Sequence, residues 1–282
     1  LIKFDSKSYT GSMRIRIAVH IEPKKLSVNY NYGISTALRR LLRTGTPQFA
    51  DFLRENGYNL DPRKFDLFTF SLRFEKMKMS GPMIQLISPK AFINVSFPIL
   101  NEFLDFDLLA DSVKNDFKFK VEGEDITLKS AKLDFVPETS FTSEMRFIFL
   151  SPLVLTTFRF VNQKERVYFL RPEDKYEFDT LLRDNLIDKY KTISRNLHYQ
   201  PGPLHIQWDE EYAAKHDRIT KKICVENPKA KPTDVIGILS PCTITGDPNL
   251  IRTGFIAGFG EKTYLGLGMA DHLYDSSYSD SI

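Results

Sequence analysis

Hydrophobic periodicity along this chain switches between two residues and 3.6 residues in a fixed order, and that order limits the folds open to it. Ile15, Ile17, Val19 and Ile21 alternate with Arg14, Arg16, Ala18 and His20, so Met13 to Ile21 reads as a strand that Pro23 ends. Ile34, Ala37, Leu38, Leu41 and Leu42 then recur at helical spacing, with Ser35, Thr36, Arg39, Arg40 and Arg43 on the opposite face. Thr44, Gly45, Thr46 and Pro47 stop this helix, and Phe49, Phe52 and Leu53 predict a second, short one. Phe68, Phe70, Leu72 and Phe74 alternate as a strand, and another covers about Met83 to Val95. Phe97 to Val113 reads as helix with Pro98 in its first turn. A last strand falls near Ile126 to Val136. Strand, helix, strand, strand, helix, strand is the ferredoxin-like, or RRM-like, unit.

The second half repeats that order. Met145 to Leu155 is a strand, and Pro172 to Ile193 a helix whose buried stripe holds Phe178, Leu181, Leu182 and Leu186. Strands follow near Leu204 to Trp208 and Val235 to Ile244, then a short helix from Asn249 and a strand near Leu265 to Leu273. The expected class is therefore α+β, with two tandem ferredoxin-like domains at 13–138 and 139–282. A chain of 282 residues is long enough for both to bury a core. Residues 1–12 end in Gly11 and Ser12 directly before Met13 and are expected to be a leader or cloning remnant.

Between the last helix and the last strand, residues 258 to 268 carry two Gly-x-Gly pairs, Gly258/Gly260 and Gly266/Gly268, with Lys262 and Tyr264 between them. Glycine allows positive φ and close backbone approach. Successive amides beside a cation such as Lys262 then predict an anion cradle. The spacing is not that of a dinucleotide fingerprint, and no Gly-Lys-Ser/Thr makes a triphosphate loop.

Net charge is only +3, but its distribution is uneven. Residues 24–64 hold Lys24, Lys25, Arg39, Arg40, Arg43, Arg54, Arg63 and Lys64 against Asp51, Glu55 and Asp61, which predicts one basic face. Residues 101–116 reverse the balance with Glu102, Asp105, Asp107, Asp111 and Asp116. Cys224 and Cys242 form no Cys-x-x-Cys pair, which fits a reducing, cytoplasmic setting and no structural zinc. No apolar run approaches the roughly 20 residues that cross a bilayer. His198, His205 and His216 lack metal-ligand spacing, and His272 follows the glycines.

The paired glycines near the C-terminus resemble the signature loop of the repeat-associated (RAMP) superfamily of CRISPR proteins. Further matching stretches lie in chain order: Met13 to Ile21, Phe68 to Leu72, Leu150 to Leu153, and Asp184 to Tyr190. Together they resemble the endoribonuclease family that cuts CRISPR precursor transcripts at their repeats, over about residues 13–275. The resemblance implies tandem ferredoxin-like domains and metal-independent cleavage, with neither cofactor nor metal. In that chemistry a ribose 2′-OH attacks the adjacent phosphate, leaving a 2′,3′-cyclic phosphate and a 5′-OH. It also implies CRISPR repeat RNA as partner, and a CRISPR effector complex as a further one. The chain is expected as monomer or homodimer, off the membrane.

The family's catalytic histidine sits just after the first helix, where matching Pro47 to Leu53 puts Arg54; its tyrosine position falls on Arg39. Arginine stays protonated at any working pH, so these side chains suit phosphate clamping rather than proton removal. Three arrangements are open. Tyr30 or Tyr32 can act with Arg39, Arg40, Arg54 and Lys64; His20 can supply an imidazole; or the chain binds repeat RNA without cutting it. For RNA contacts, Arg14, Arg16, Arg43, Arg252, Lys262 and the four glycines are candidates for phosphate. Tyr264, with Tyr30 and Tyr32, is a candidate for base stacking.

Overall fold

The computed structural model describes residues 10–55, 58–60, 63–100, 103, 105–137, 139–225 and 231–273. The first half contains β1 (Thr10–Ile21), β2 (Lys25–Ser27), α1 (Asn31–Gly45), α2 (Pro47–Glu55), β3 (Tyr58–Leu60), β4 (Arg63–Phe65) and β5 (Thr69–Phe74). It continues with β6 (Met77–Ser80), β7 (Met83–Leu86), β8 (Lys90–Leu100), α3 (Phe106–Val113), β9 (Phe117–Val121) and β10 (Glu124–Phe135). The second half opens with β11 (Glu144–Phe149), β12 (Thr156–Val161), β13 (Lys164–Phe169), α4 (Lys175–Ser194), β14 (His205–Trp208) and α5 (Glu210–Lys215). Then come β15 (Thr220–Val225), β16 (Thr233–Ile238), β17 (Pro241–Thr245), α6 (Pro248–Ala257), a 3-10 turn (Thr263–Leu265) and β18 (Ala270–His272).

Two antiparallel sheets carry the two halves. The first has the order β5-β8-β1-β10-β9 and the second β14-β17-β11-β18. Leaving out the edge hairpin strand β9, both place the four βαββαβ strands as 2-3-1-4, so each half is a ferredoxin-like domain. Ile15, Ile17, Val19 and Ile21 bury one face of β1 in a core with Ile34, Leu38 and Leu41 of α1 and Leu109 and Val113 of α3. The Asp105 side chain caps α3 by accepting from the Leu108 amide at 2.9 Å. In the second domain Phe147 and Phe149 of β11 meet Phe178, Leu182 and Leu186 of α4 and Leu250, Ile251 and Phe255 of α6.

Several boundaries differ from the sequence pattern. Pro98 lies in β8, opposite Ser12, and not in a helix. Its carbonyl accepts the Tyr58 hydroxyl at 2.8 Å. The apolar run from Met83 to Val95 divides into β7 and β8, and Val235 to Ile244 divides into β16 and β17. Thr10, Gly11 and Ser12, within the expected leader, pair with Leu100, Ile99 and Pro98 in the first sheet.

The other face of β1 meets the second domain. Arg14 is buried, donates to the Ala270 carbonyl at 2.7 Å and lies over the Phe255 ring at 4.1 Å. Ser96 of β8 donates to the Ile256 carbonyl at 2.8 Å. Helix α6 is thus shared between both sheets.

Candidate nucleic-acid interface

Helix α1 stops at Gly45, and α2 leaves at once in a new direction, so the exposed ends of both helices border one open pocket of about 270 Å³. Arg39 and Arg43 reach it from α1, Arg54 from α2, and Asp66 with Phe68 from the segment before β5. Helical spacing accounts for the convergence, because positions 39 and 43 lie one turn apart on the face opposite the core stripe.

Arg39 is held by a two-pronged pair with Asp66, at 2.9 and 3.3 Å. Its guanidinium also sits 5.4 Å from the ring centres of both Phe68 and Tyr264. Arg54 is paired with Asp51 at 3.1 Å and Glu55 at 3.2 Å, all three well exposed. Such surface pairs contribute little, about 0–1 kcal/mol, so a phosphate can replace the carboxylates at small cost. Among the described lining residues, three guanidinium groups face one carboxylate over an apolar floor.

The other expected residues are distributed elsewhere. Arg40 is exposed on α1 but does not line the pocket. Lys64 belongs to β4, and its side chain lies outside the described residues. Tyr30 precedes α1 with its ring packed edge-on against Phe74, and burial pushes its phenol up to about 12. It is half-buried against the first core and does not line the pocket. Tyr32 packs with Val154 and Leu265. His20 is also apart. It pairs with Lys90 on the sheet face away from α1, seven residues from Phe97 of the pocket, or roughly 23 Å along the strand.

Arg14 serves the domain interface, where burial lowers its pKa to about 10, and it presents no charge to a ligand. Arg16 donates to Asn94 Oδ1 at 3.0 Å on the same sheet face, and Arg252 lies on α6; neither lines the pocket.

The glycines correct the cradle expectation. Gly258, Gly260, Gly266 and Gly268 are all buried with positive φ. A Cβ on Gly260 would lie 2.3 Å from the Val154 carbonyl oxygen, and one on Gly268 would lie 1.9 Å from that of Phe259. Neighbouring amides are committed inward: Phe259 N–H donates to Gly268 O, Glu261 N–H to Val154 O, and Gly268 N–H to Pro152 O, each at 2.8 Å. The loop is a joint between the domains.

That joint nonetheless builds the pocket margin. Asn31 donates to the Leu265 carbonyl at 2.7 Å, Ser35 to that of Tyr264 at 2.6 Å, and Thr69 to that of Leu267 at 2.8 Å. These bonds fasten the loop to α1 and β5 and hold Tyr264 beside Arg39. From the far side, the buried Lys189 ammonium of α4 donates to the carbonyls of Gly258 at 2.7 Å and Gly260 at 2.6 Å. Burial lowers the Lys189 pKa to about 7, partly opposed by Glu261.

Asp66 and Lys189 were not singled out as site residues from sequence. Lys189 does fall in the Asp184 to Tyr190 stretch, but a lysine inside an amphipathic helix reads as solvated. Among the described residues, no cluster of three His, Cys, Asp or Glu side chains is placed to hold a metal ion, and no helix is long and apolar enough to cross a membrane.

Comparison with known proteins points to one family. Residues 136–272 match the family model "CRISPR associated protein Cas6, C-terminal". CRISPR-associated endoribonuclease Cas6 1 of Methanocaldococcus jannaschii is 24% identical over 269 residues, covering 94% of this chain and 95% of the relative. The chain is thus similar to Cas6-type repeat-processing proteins, through the family model over its second half and through this relative over nearly its whole length. A solved Cas6-related protein of Pyrococcus furiosus shares the fold with a TM-score of 0.73 at 20% identity, over 94% of this chain and all of that one. A RAMP protein described as binding different RNA substrates gives 0.69 at 22% identity, over 93% of this chain and all of the other. The Cas6 C-terminal match contains Lys189, the glycine joint and Tyr264, whereas the arginine pocket lies in the other domain.

Proposed function

We propose that this Cas6-type chain is an endoribonuclease that binds CRISPR repeat RNA at the α1–α2 pocket and cuts precursor transcripts there by 2′-OH attack. The convergence of Arg39, Arg43 and Arg54 around one open pocket, with Tyr264 at its margin, carries this reading. The scissile phosphate displaces Asp51 and Glu55 from Arg54 and sits among the three guanidinium groups. They neutralise the charge that builds on its oxygens as the 2′-oxygen bonds to phosphorus and the 5′-oxygen leaves. Bases on either side find the Phe68 and Tyr264 rings. Retention of the cut RNA, or its transfer to a CRISPR effector complex, belongs to the same reading.

One observation favours a second reading, repeat-RNA binding without cleavage: no imidazole lines the pocket, and His20 is on the opposite face. Losing optimal acid–base catalysis costs about 10²–10⁴-fold, tolerable in an enzyme that turns over once. The experiment is end-labelled repeat RNA incubated with excess protein in EDTA. A single cut ending in a cyclic phosphate, abolished by a 2′-deoxy nucleotide at the cut, is the expected result. Intact RNA, tightly bound at every pH, selects the second reading.

A further inference from the structure

A different face of α2 borders a second cavity, about 290 Å³, where the end of α4 meets the first domain. Its lining includes Phe52 and Tyr58 from the first domain and Lys191, Ile193, Arg195 and Leu197 from the second. Three features separate it from ordinary surface. Among the described residues no carboxylate lines it, whereas the arginine pocket contains Asp66. Among the described residues neither Lys191 nor Arg195 has an ion-pair partner, whereas Arg39 and Arg54 do. Arg195 ends α4 in the left-handed conformation at φ 57°, and Leu197 beyond it is 60% exposed at the rim. The helix C-terminus explains why cations collect there. It does not explain an apolar cavity between them.

We infer that this cavity is a second RNA subsite, taking a nucleotide of the strand whose scissile phosphate occupies the arginine pocket. Lys191 and Arg195 hold the phosphate, while Phe52, Ile193 and Leu197 offer an apolar wall to the base. Continuity favours RNA over a free anion, because Phe52 shares α2 with Phe49, Leu53 and Arg54 of the first pocket. The inference rests on the RNA-binding reading above and adds a site on another face of α2.

The test compares wild type, Arg43→Ala, and Lys191→Ala combined with Arg195→Asn, the asparagine keeping the left-handed turn. Repeat-RNA affinity is measured by fluorescence anisotropy over a salt series, with melting curves confirming folded proteins. Loss of one neutralised phosphate reduces the slope of log K against log salt by about 0.7. If the double variant keeps the wild-type slope and affinity while Arg43→Ala loses both, the second subsite is refuted and the arginine pocket stands. If wild type shows no salt-dependent RNA binding, both fall together.

Discussion

Helices α1 and α4 hold the same place in the same topology, yet they use their cations in opposite ways. Helix α1 turns Arg39, Arg40 and Arg43 outward, two of them onto an open pocket. Helix α4 buries Lys189, whose ammonium holds two glycine carbonyls of the joint. The first helix borders an open pocket; the second organises the piece of chain at the pocket's margin. A duplicated fold can thus divide recognition and scaffolding between equivalent elements, so a basic residue on a helix is not evidence of a contact until its burial is known.

The sharpest way to break that division is at the joint. Gly260→Val puts a branched side chain at φ 79° against the Val154 carbonyl, and should destabilise by about 4 kcal/mol or more. Denaturant melts check this; a fully stable Gly260→Val with weakened RNA binding would restore the exposed-cradle reading. Next, Arg54→Ala or Arg39→Ala should slow single-turnover cleavage about 10²–10³-fold with a smaller change in affinity. Equal losses in both would make them general phosphate contacts.

Lys189→Met leaves two buried carbonyls without their donor and should cost roughly 3 kcal/mol. The lysine also sets a pH dependence. It titrates near 7 in the fold and near 10.5 when exposed, so between these values the unfolded chain holds the extra proton. Stability should therefore rise with pH across that window, and the rise should vanish in Lys189→Met. Arg40→Ala, on the same helix but outside the pocket, should change stability by less than about 0.5 kcal/mol. A cleavage defect in Arg40→Ala as large as that of Arg39→Ala would extend the site around α1.

Local periodicity made most of the fold legible. The alternation of Ile15 to Ile21 and the spacing of Ile34 to Leu42 depend on neighbours a few residues away, and both elements stand where the pattern puts them. Pro98 was misread because its place in β8 is set by pairing with Ser12, far away in the chain. The arginine cluster was partly legible, since Arg39 and Arg43 share a helix face and Arg54 follows closely. Asp66 was not, because only the chain reversal before β5 brings it to Arg39. The glycines were the most conspicuous residues and the most misleading. Their spacing reports that backbone approaches something closely, without saying whether that partner is a ligand or, as here, Val154 and Phe259 of the same chain.

The fastening of Asn31 to Leu265 has a consequence for biosynthesis. The two residues are 234 positions apart, so a ribosome adding 5–20 residues per second delivers the second roughly 12–47 s after the first. Ala257 belongs to the apolar interior of the first domain, and Tyr264 packs against its edge. The nascent amino-terminal half therefore lacks the packing of Ala257 and Tyr264 until nearly all of the described chain has been translated.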